Sequence, residues 1–240
     1  MMVVSGRVSE ATVARLPLYL QCAVDAAKSG ASTISSDALA ADVGVNPATL
    51  RRDLASLGIT GTRGVGYDTK YLVFEIGGSL GLNQEWPVVI VGVGNLGRAL
   101  ANYAGLTERG FPVRALLDIA PDVVGEEVSG VVVEHLDDAP SVVAREQLSV
   151  AVLATPPDAA QDAADRLIAA GITSLLNFTA TAVQTGVDVE VRRVDLATEL
   201  QILSFYQQRA NSARRGVGVP ISRPASEKRS AAPRGKESQA

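Results

Sequence analysis

The 240-residue sequence is poor in the side chains that most often carry covalent, metal or acid-base chemistry. Its one cysteine, Cys22, excludes an internal disulfide and any site that needs several cysteine ligands, and no metal site is expected. There is one histidine, His135, predicted to lie in an exposed loop, and no lysine occurs between Lys70 and Lys228. The sequence therefore offers little material for an enzyme that transfers hydride with the help of an acid or a base.

Long apolar runs are also missing, because no stretch approaches the about twenty residues that cross a bilayer. Residues 1–4 lack a charged lead followed by a long apolar segment, so no signal peptide is predicted. We therefore expect a cytoplasmic protein with no membrane partner.

The net charge of −4 hides a segregation along the chain. Residues 1–85 carry seven Lys and Arg against eight Asp and Glu, and residues 86–213 carry eight against sixteen. Residues 214–240 carry seven against two and are rich in glycine, proline and serine, so this basic tail is expected to be disordered. Because the excess of acidic residues lies mostly in the middle of the chain, each end must be judged separately as a possible nucleic-acid-binding segment.

The most informative motif is Gly92-Val93-Gly94-Asn95-Leu96-Gly97, which follows an apolar run and precedes a helix-like segment. In such a motif the first glycine makes a tight turn, the second lets the backbone approach a pyrophosphate, and the third lets helix and strand pack closely. Asp118 closes the next apolar run, where a carboxylate accepts hydrogen bonds from the adenosine ribose and repels a 2′-phosphate. This context predicts a site for NADH or NAD+.

Beyond a linker at 83–87, strand-like and helix-like segments alternate, which is typical of a doubly wound parallel sheet, a Rossmann-type α/β fold. The predicted strands are 88–91, 113–117, 131–133, 150–154, 172–178 and 187–194, and the predicted helices are 96–106, 138–145 and 158–170. Ligands of such sheets lie beyond the carboxyl ends of the strands, which adds Thr155, Pro156, Asn177 and Phe178 to the predicted site. A last helix, 195–210, is apolar on more than one side and is expected to pack on a partner.

Residues 11–82 carry helical signals. Pro17 is expected to start or kink the first helix, and Ser36 is expected to cap the second. Asn46 and Pro47 match the cap and first residue of a third helix that runs to residue 57.

The third helix has an apolar stripe of Leu50, Leu54 and Leu57, which leaves Thr49, Arg51 and Arg52 on its outer face. The glycine-rich segment 59–68 that follows is typical of a tight hairpin, a wing that could carry Arg63 into a minor groove. Two short helices, a turn and a wing predict a winged helix-turn-helix.

Several segments together resemble the Rex family of redox-sensing transcriptional repressors. They are RLPLYL at 15–20, LRRDL at 50–54, GTRGVGY at 61–67, the glycine motif, LLNF at 175–178 and VDLATELQ at 194–201. The resemblance implies a homodimer with an N-terminal winged helix, a Rossmann domain and a C-terminal helix exchanged between subunits. Rex proteins bind operator DNA, repress genes of respiration and fermentation when NADH is low relative to NAD+, and leave the operator when NADH binds.

The resemblance also implies domain bounds and residue roles. The domains are a DNA-binding domain at 1–85, a nucleotide domain at 86–194, a swapped helix at 195–213 and a tail at 214–240. Arg15, Tyr103 and Asp195 match a polar network that joins these parts. The predicted DNA-binding set is Asn46, Pro47, Thr49, Arg51, Arg52, Arg63 and Tyr67.

Three other interpretations remain open on the sequence. They are an NAD-dependent oxidoreductase with a helical appendage, a CoA-binding module, and a DNA-binding protein whose nucleotide fold has no function. For the sensor, an apolar pocket is expected to prefer neutral NADH to NAD+, because the oxidised ring is charged and its desolvation is unfavourable.

Overall fold

The computed structural model describes residues 8–214, which form two compact units that meet in sequence between Val194 and Asp195. The first unit begins with α1 Glu10–Lys28, β1 Thr33–Ile34, α2 Ser36–Val43, α3 Pro47–Ser56, β2 Tyr67–Asp68 and α4 Thr69–Ser79. It continues with β3 Val88–Val91, α5 Asn95–Ala101, α6 Ala104–Thr107, β4 Val113–Asp118, β5 Glu127–Val128, β6 Val131–His135, a 3₁₀ turn Leu136–Asp138, α7 Ala139–Glu146, β7 Val150–Leu153, α8 Ala160–Ala169, β8 Ser174–Asn177 and β9 Glu190–Arg193. The second unit contains α9 Leu196–Arg214.

The helices of the N-terminal region begin at side-chain caps. Asn46 accepts a hydrogen bond from the amide of Ala48 and Pro47 is the first residue of α3, as predicted. The predicted cap Ser36 is wrong by one residue, because Ser35 accepts the capping hydrogen bond and Ser36 already lies in α2. Pro17 does not start α1, which begins at Glu10 and runs through the proline.

An apolar core joins α1 to α4, with Leu50 and Leu54 of α3 fully buried in it. The helix α4 was not resolved as a separate element by the sequence patterns. The predicted hairpin over 59–68 is much shorter than expected, since Thr62 and Gly66 form a single bridge around a tight turn, here called the wing turn (residues 62–66). The chain then pairs with β1 instead, and a Cβ on Gly66 would lie 2.2 Å from the carbonyl oxygen of Ile34.

The predicted doubly wound sheet is confirmed, with strand order β5-β6-β4-β3-β7-β8-β9. The sheet is parallel throughout its strands β6, β4, β3, β7, β8 and β9, and only the short edge strand β5 is antiparallel. The central strand β3 is buried throughout and separates two apolar clusters, as expected for a sheet covered on both faces. The strand order reverses between β3 and β7, where a doubly wound sheet opens a crevice at its carboxyl edge.

Three local predictions in this region differ from the structure. The helix expected over 96–106 is interrupted at residues 102–103 and forms α5 and α6. The strand β5 was not predicted. His135 is the last residue of β6, in register with Asp118, rather than a loop residue.

The predicted linker is a short connection that Trp86 anchors by two hydrogen bonds. The indole nitrogen of Trp86 donates to the carbonyl oxygen of Gly81 at 2.8 Å, and its backbone amide donates to Gly110 at 2.7 Å. The junction between α4 and β3 is therefore held by specific hydrogen bonds.

The second unit is a single helix over the residues that the structure describes. Asp195 caps it, because its carboxylate accepts hydrogen bonds from the amides of Ala197 and Thr198. Large apolar side chains of α9 are exposed: Leu196, Leu200, Ile202, Leu203, Phe205 and Tyr206. Within residues 8–214 no helix combines the length and apolar character needed to span a bilayer. Apart from Arg214, the predicted basic tail lies outside the described residues.

Candidate functional site

The glycine loop lies at the point where the strand order of the sheet reverses. Gly92 has φ +90°, and a Cβ there would lie 2.7 Å from the carbonyl oxygen of Ala154. A Cβ on Gly97 would lie 2.0 Å from the carbonyl oxygen of Gly92, so the predicted roles of the first and third glycines are confirmed. A Cβ on Gly94 would meet no atom within 4 Å, which leaves open space where a ligand could approach the backbone.

Asp118 fastens the glycine loop to the end of β4. Its Oδ2 accepts a hydrogen bond from the amide of Val93 at 2.6 Å, and its Oδ1 accepts from Ile119 and Ala120 at 2.7 and 2.9 Å. A carboxylate offers about four acceptor positions. One position on Oδ2 is left for a ribose hydroxyl, so the predicted ribose contact is limited to that oxygen.

The hydroxyl of Thr155 is the second polar group that faces this end of the sheet. Thr155 follows β7, and its Oγ1 is buried with no hydrogen-bond partner, alone in this respect among the side chains at 8–212. Buried polar atoms in proteins are almost always paired with protein, water or ligand. An unpaired hydroxyl beside the glycine loop therefore fits a polar ligand at this edge.

The other predicted residues divide between the surface and the core. Gly94, Asn95, Leu96 and Pro156 are exposed, whereas the side chain of Val93 is buried and Phe178 is half-buried against a core cluster. Asn177 is buried, and its amide binds Thr179 and Thr181. The side chain of Asn177 therefore shapes the loop that follows β8, and its place in the nucleotide site stays a prediction.

The predicted DNA-binding residues lie on the outer face of α3 and at the wing turn. Arg51 and Arg52 are exposed, and Arg51 Nη1 donates to Ser36 Oγ at 2.9 Å. Arg63 is exposed in the wing turn, and a cleft of about 610 Å³ separates this turn from the start of α2. Asn46 is exposed at the start of α3, with Pro47 and Thr49 half-buried behind it.

Tyr67, the last residue of the predicted DNA-binding set, is buried. The residue is 5% exposed and belongs to the N-terminal core, and burial raises the pKa of its hydroxyl. Its ring lies under Gly61, where a Cβ would be 3.0 Å from Tyr67 Cε1. Tyr67 therefore supports the wing turn, and its contact with DNA stays a prediction.

The three residues of the predicted polar network lie on different elements. Arg15 makes a bidentate ion pair with Asp53 of α3, at 2.7 and 2.9 Å. Tyr103 precedes α6, is 52% exposed and lies over Gly105. Asp195 caps α9 in the second unit. The network that would join them stays a prediction.

Comparison with known proteins decides the family. Residues 7–55 match a family profile described as a putative DNA-binding protein N-terminus, and residues 83–181 match one described as a CoA binding domain. The redox-sensing transcriptional repressor Rex of Streptomyces griseus subsp. griseus is 51% identical over 229 residues, 93% of this chain and 90% of that protein. The chain belongs to the Rex family. Rex of Desulfitobacterium hafniense is 42% identical over 83% of this chain and 95% of its own length.

Solved Rex structures share the fold of this chain. The crystal structure of RSP, a Rex-family repressor, has a TM-score of 0.80 at 30% identity and covers 89% of this chain and 100% of RSP. RSP in complex with β-NAD+ and operator DNA has a TM-score of 0.80 at 31% identity, covering 90% of this chain and 100% of that one. Both the resemblance seen in the sequence and the predicted combination of winged helix and Rossmann sheet are confirmed.

Sequence reasoning missed the partner of Arg15 in this Rex chain. Asp53 is 4% exposed and accepts hydrogen bonds from Thr12, Arg15 and Tyr19, all on α1. The signal was present, since helical spacing puts Asp53 inside the apolar stripe of Leu50 and Leu54. An acid on the inward stripe of a helix indicates a buried partner.

The groups of this cluster shift one another's pKa values. Burial alone would raise the pKa of Asp53, but the hydrogen bonds from Arg15, Tyr19 and Thr12 outweigh it, and the pKa lies below its ordinary value. Burial, with the hydrogen bond to Asp53, raises the pKa of Tyr19 to about 12. The carboxylate is therefore ionised and the phenol neutral at neutral pH.

The lowered pKa makes the stabilisation by Asp53 depend on pH. A carboxyl whose pKa is lower in the folded state contributes stability above its unfolded pKa and loses it as the pH falls through the folded pKa. We expect Asp53→Asn to lower the free energy of unfolding by about 2 to 3 kcal/mol at neutral pH. The difference should shrink below about pH 4. Urea unfolding followed by circular dichroism measures it, and a difference that does not change with pH would contradict the assignment.

Proposed function

We propose that this Rex chain is an NADH-responsive repressor that binds operator DNA as a homodimer and leaves it when NADH occupies the glycine loop. One observation carries the proposal. A helix-turn-helix with two exposed arginines on its second helix and a dinucleotide loop at the strand reversal occur in the same compact unit of a chain 51% identical to a Rex repressor. The RSP structures support it, because one contains β-NAD+ with operator DNA and another contains β-NADH.

The proposed domain plan follows the predicted bounds. Residues 1–85 bind DNA, 86–194 bind the nucleotide, 195–213 form a helix exchanged between subunits, and 214–240 form a basic tail. The exposed apolar side chains of α9 support the exchange, because a helix apolar on several sides is stable only when covered. We infer that the protein acts in the cytoplasm, because its proposed target is chromosomal DNA.

The residues at the strand reversal fit a dinucleotide. The open backbone at Gly94 and the unpaired hydroxyl of Thr155 would hold its phosphates, and the free acceptor position on Asp118 would hold the ribose. The bound group supplies a nicotinamide ring that is cationic when oxidised and neutral when reduced. Leu96 and Phe178 offer apolar surface, which would favour the neutral ring.

The residues that could act as an acid or a base in this region favour nucleotide binding without a reaction. His135 Nδ1 accepts a hydrogen bond from the amide of Asp137, and Tyr103 has no lysine four residues beyond it. A dehydrogenase needs an acid or base beside its substrate. We therefore infer that the chain is not an enzyme.

A switch of this kind requires that NADH favour the DNA-incompetent dimer. Changing the populations from about 1:99 to 99:1 takes a differential affinity of about ten-thousandfold, or about 5.5 kcal/mol. Two nucleotide sites in a homodimer would share this free energy. The spacing of the two α3 helices is the quantity that would change, because a dimer must match half-sites about one helical turn or a multiple apart.

A gel-shift titration tests the proposed function. The purified full chain is first used to select fragments from genomic DNA, and the bound fragments are then titrated with NADH, NAD+ and CoA. We expect NADH to release the DNA and NAD+ to leave it bound. Equal DNA binding with and without saturating NADH would refute the sensor, and release by CoA alone would favour a CoA-binding module, which the family profile at 83–181 makes the second candidate.

Arg63 at the wing turn gives a second test. We infer that Arg51 contacts the major groove, Arg52 the phosphate backbone and Arg63 the minor groove of A·T-rich flanks. Arg63→Ala should therefore weaken operator binding by about tenfold and leave NADH affinity unchanged. Gel shifts and isothermal titration calorimetry measure the two affinities.

The matched control is Arg109→Ala, which removes the same charge from an exposed position of the nucleotide region. It should alter neither affinity. If Arg63→Ala lost NADH binding and kept its operator, the role given to Arg63 would be refuted.

A further inference from the structure

A buried carboxylate lies within the helix that carries the DNA-facing arginines. Asp53 is the sole acidic or basic residue among the buried residues of the described part of the chain. Its Oδ1 accepts hydrogen bonds from Thr12 Oγ1 at 3.0 Å and Arg15 Nη2 at 2.9 Å, and its Oδ2 accepts from Arg15 Nε at 2.7 Å and Tyr19 OH at 2.9 Å. Because a carboxylate has about four acceptor positions, these four bonds fix its orientation completely.

All the donors to this carboxylate come from one face of α1. Thr12, Arg15 and Tyr19 are spaced three and four residues apart, the separation that aligns side chains along a helix. The fork of Arg15 adds a geometric requirement, since a bidentate contact needs the guanidinium and the carboxylate to be coplanar. The contact between α1 and α3 is therefore directional.

Stability alone does not account for this arrangement. Leu50 and Leu54 are fully buried and already hold α3 in the core. A buried ion pair can often be replaced by apolar residues with no loss of stability. What apolar packing lacks is direction, so it would let α3 roll slightly about its axis. The four hydrogen bonds to Asp53 prevent that roll.

A small roll of α3 would move its outer side chains by a large distance on the scale of a hydrogen bond. The side-chain surface of a helix lies about 5 to 6 Å from its axis, so a roll of about 20° moves that surface by about 2 Å. Hydrogen bonds to base edges do not survive such a displacement. Arg51 and Arg52 immediately precede Asp53 and would move together.

We propose that Asp53 is a positioning residue for operator recognition, which sets the roll of α3 so that Arg51 and Arg52 meet the DNA in a fixed register. The proposal rests on the proposed function, because it takes α3 as the DNA-contacting helix. Contacts to phosphates tolerate a small roll better than contacts to base edges, since phosphate attraction does not depend on sequence. Loss of Asp53 should therefore reduce sequence discrimination more than DNA binding itself.

The test compares Asp53→Asn with Asp42→Asn in the full chain. Asp42 is exposed on α2, so its replacement makes the same change of charge on the surface of the same region. Each variant is titrated with a duplex that the wild-type protein selects from genomic DNA and with a scrambled duplex of equal length. We expect Asp53→Asn to lose affinity for the selected duplex by about tenfold, the loss of one good base contact. Affinity for the scrambled duplex should change by less than about twofold.

NADH affinity of Asp53→Asn should equal that of the wild type, and Asp42→Asn should match the wild type throughout. The proposal is overturned if Asp53→Asn keeps the wild-type ratio of selected to scrambled affinity, whether both are unchanged or both fall by the same factor. Should circular dichroism show that Asp53→Asn does not fold, Arg15→Lys decides instead, because it keeps the charge and loses the fork. Its ratio should fall by about threefold, and an unchanged ratio would overturn the proposal. A wild-type protein that selects no fragment would refute the proposed function itself, before any variant is compared.

Discussion

Gly97→Ala is expected to weaken NADH binding by about 100-fold. The new Cβ would lie 2.0 Å from the carbonyl oxygen of Gly92 and 3.0 Å from its carbonyl carbon, both backbone atoms of the turn itself. Neither can give way as a flexible side chain would, so helix α5 must move away from β3. Overpacking at a well-packed contact costs up to about 3 kcal/mol, which corresponds to about two powers of ten in affinity. Isothermal titration calorimetry with NADH measures the loss.

Gly94→Ala is the informative companion. A Cβ on Gly94 meets no protein atom within 4 Å, so this variant should fold with wild-type stability and lose NADH affinity only if the ligand occupies that space. Operator binding should survive in both variants, because α3 and the wing turn are untouched. Wild-type NADH affinity in Gly97→Ala would show that the close approach of helix and strand does not shape the site.

Asp118→Ala should also give a protein that binds its operator but no longer responds to NADH. The substitution removes the acceptor for the amides of Val93, Ile119 and Ala120 and the one position left for a ribose hydroxyl. Hydrogen bonds to a charged group contribute about 1.5 to 3 kcal/mol each, so we expect NADH affinity to fall by about 100-fold. The preference for NADH over NADPH should also shrink, because the carboxylate that repels a 2′-phosphate is gone.

Asp122→Ala is the control for Asp118→Ala. Asp122 is an exposed acid in the loop that follows, so its loss changes the net charge equally and leaves the glycine loop intact. Calorimetric titrations of both variants with NADH and NADPH separate a local contact from a general effect of charge. Unaltered NADH binding by Asp118→Ala would remove this residue from the site.

The parts of this molecule that follow from local patterns were predictable. The glycine loop is read from the spacing of three glycines between a strand and a helix, and the structure supplies a steric reason for Gly92 and Gly97. The parallel sheet follows from alternating strand and helix signals. The caps of α3 follow from Asn46 and Pro47. Each of these features has a sequence signal carried by residues close to one another in the chain.

The features that sequence reasoning missed depend on contacts between distant segments. The ion pair between Arg15 and Asp53 joins residues 38 apart in the chain. The periodicity of a helix predicts that Asp53 is buried, but it does not predict which arginine pairs with it. The sequence around Tyr67 is typical of a wing, yet its strand pairs with β1 and its ring is buried in the core. Asn177 ends a strand at the expected edge, but its side-chain amide forms hydrogen bonds within the turn that follows.

Trp86 gives the protein a native optical probe at a useful place. It is the one tryptophan of the sequence, and its indole is tied to Gly81 where the helical region passes into the sheet. Its emission therefore arises from a single site between the helical region and the sheet. Reduced nicotinamide absorbs light in the range where tryptophan emits, so ligand arrival and any rearrangement of this junction can be followed by fluorescence without attaching a dye.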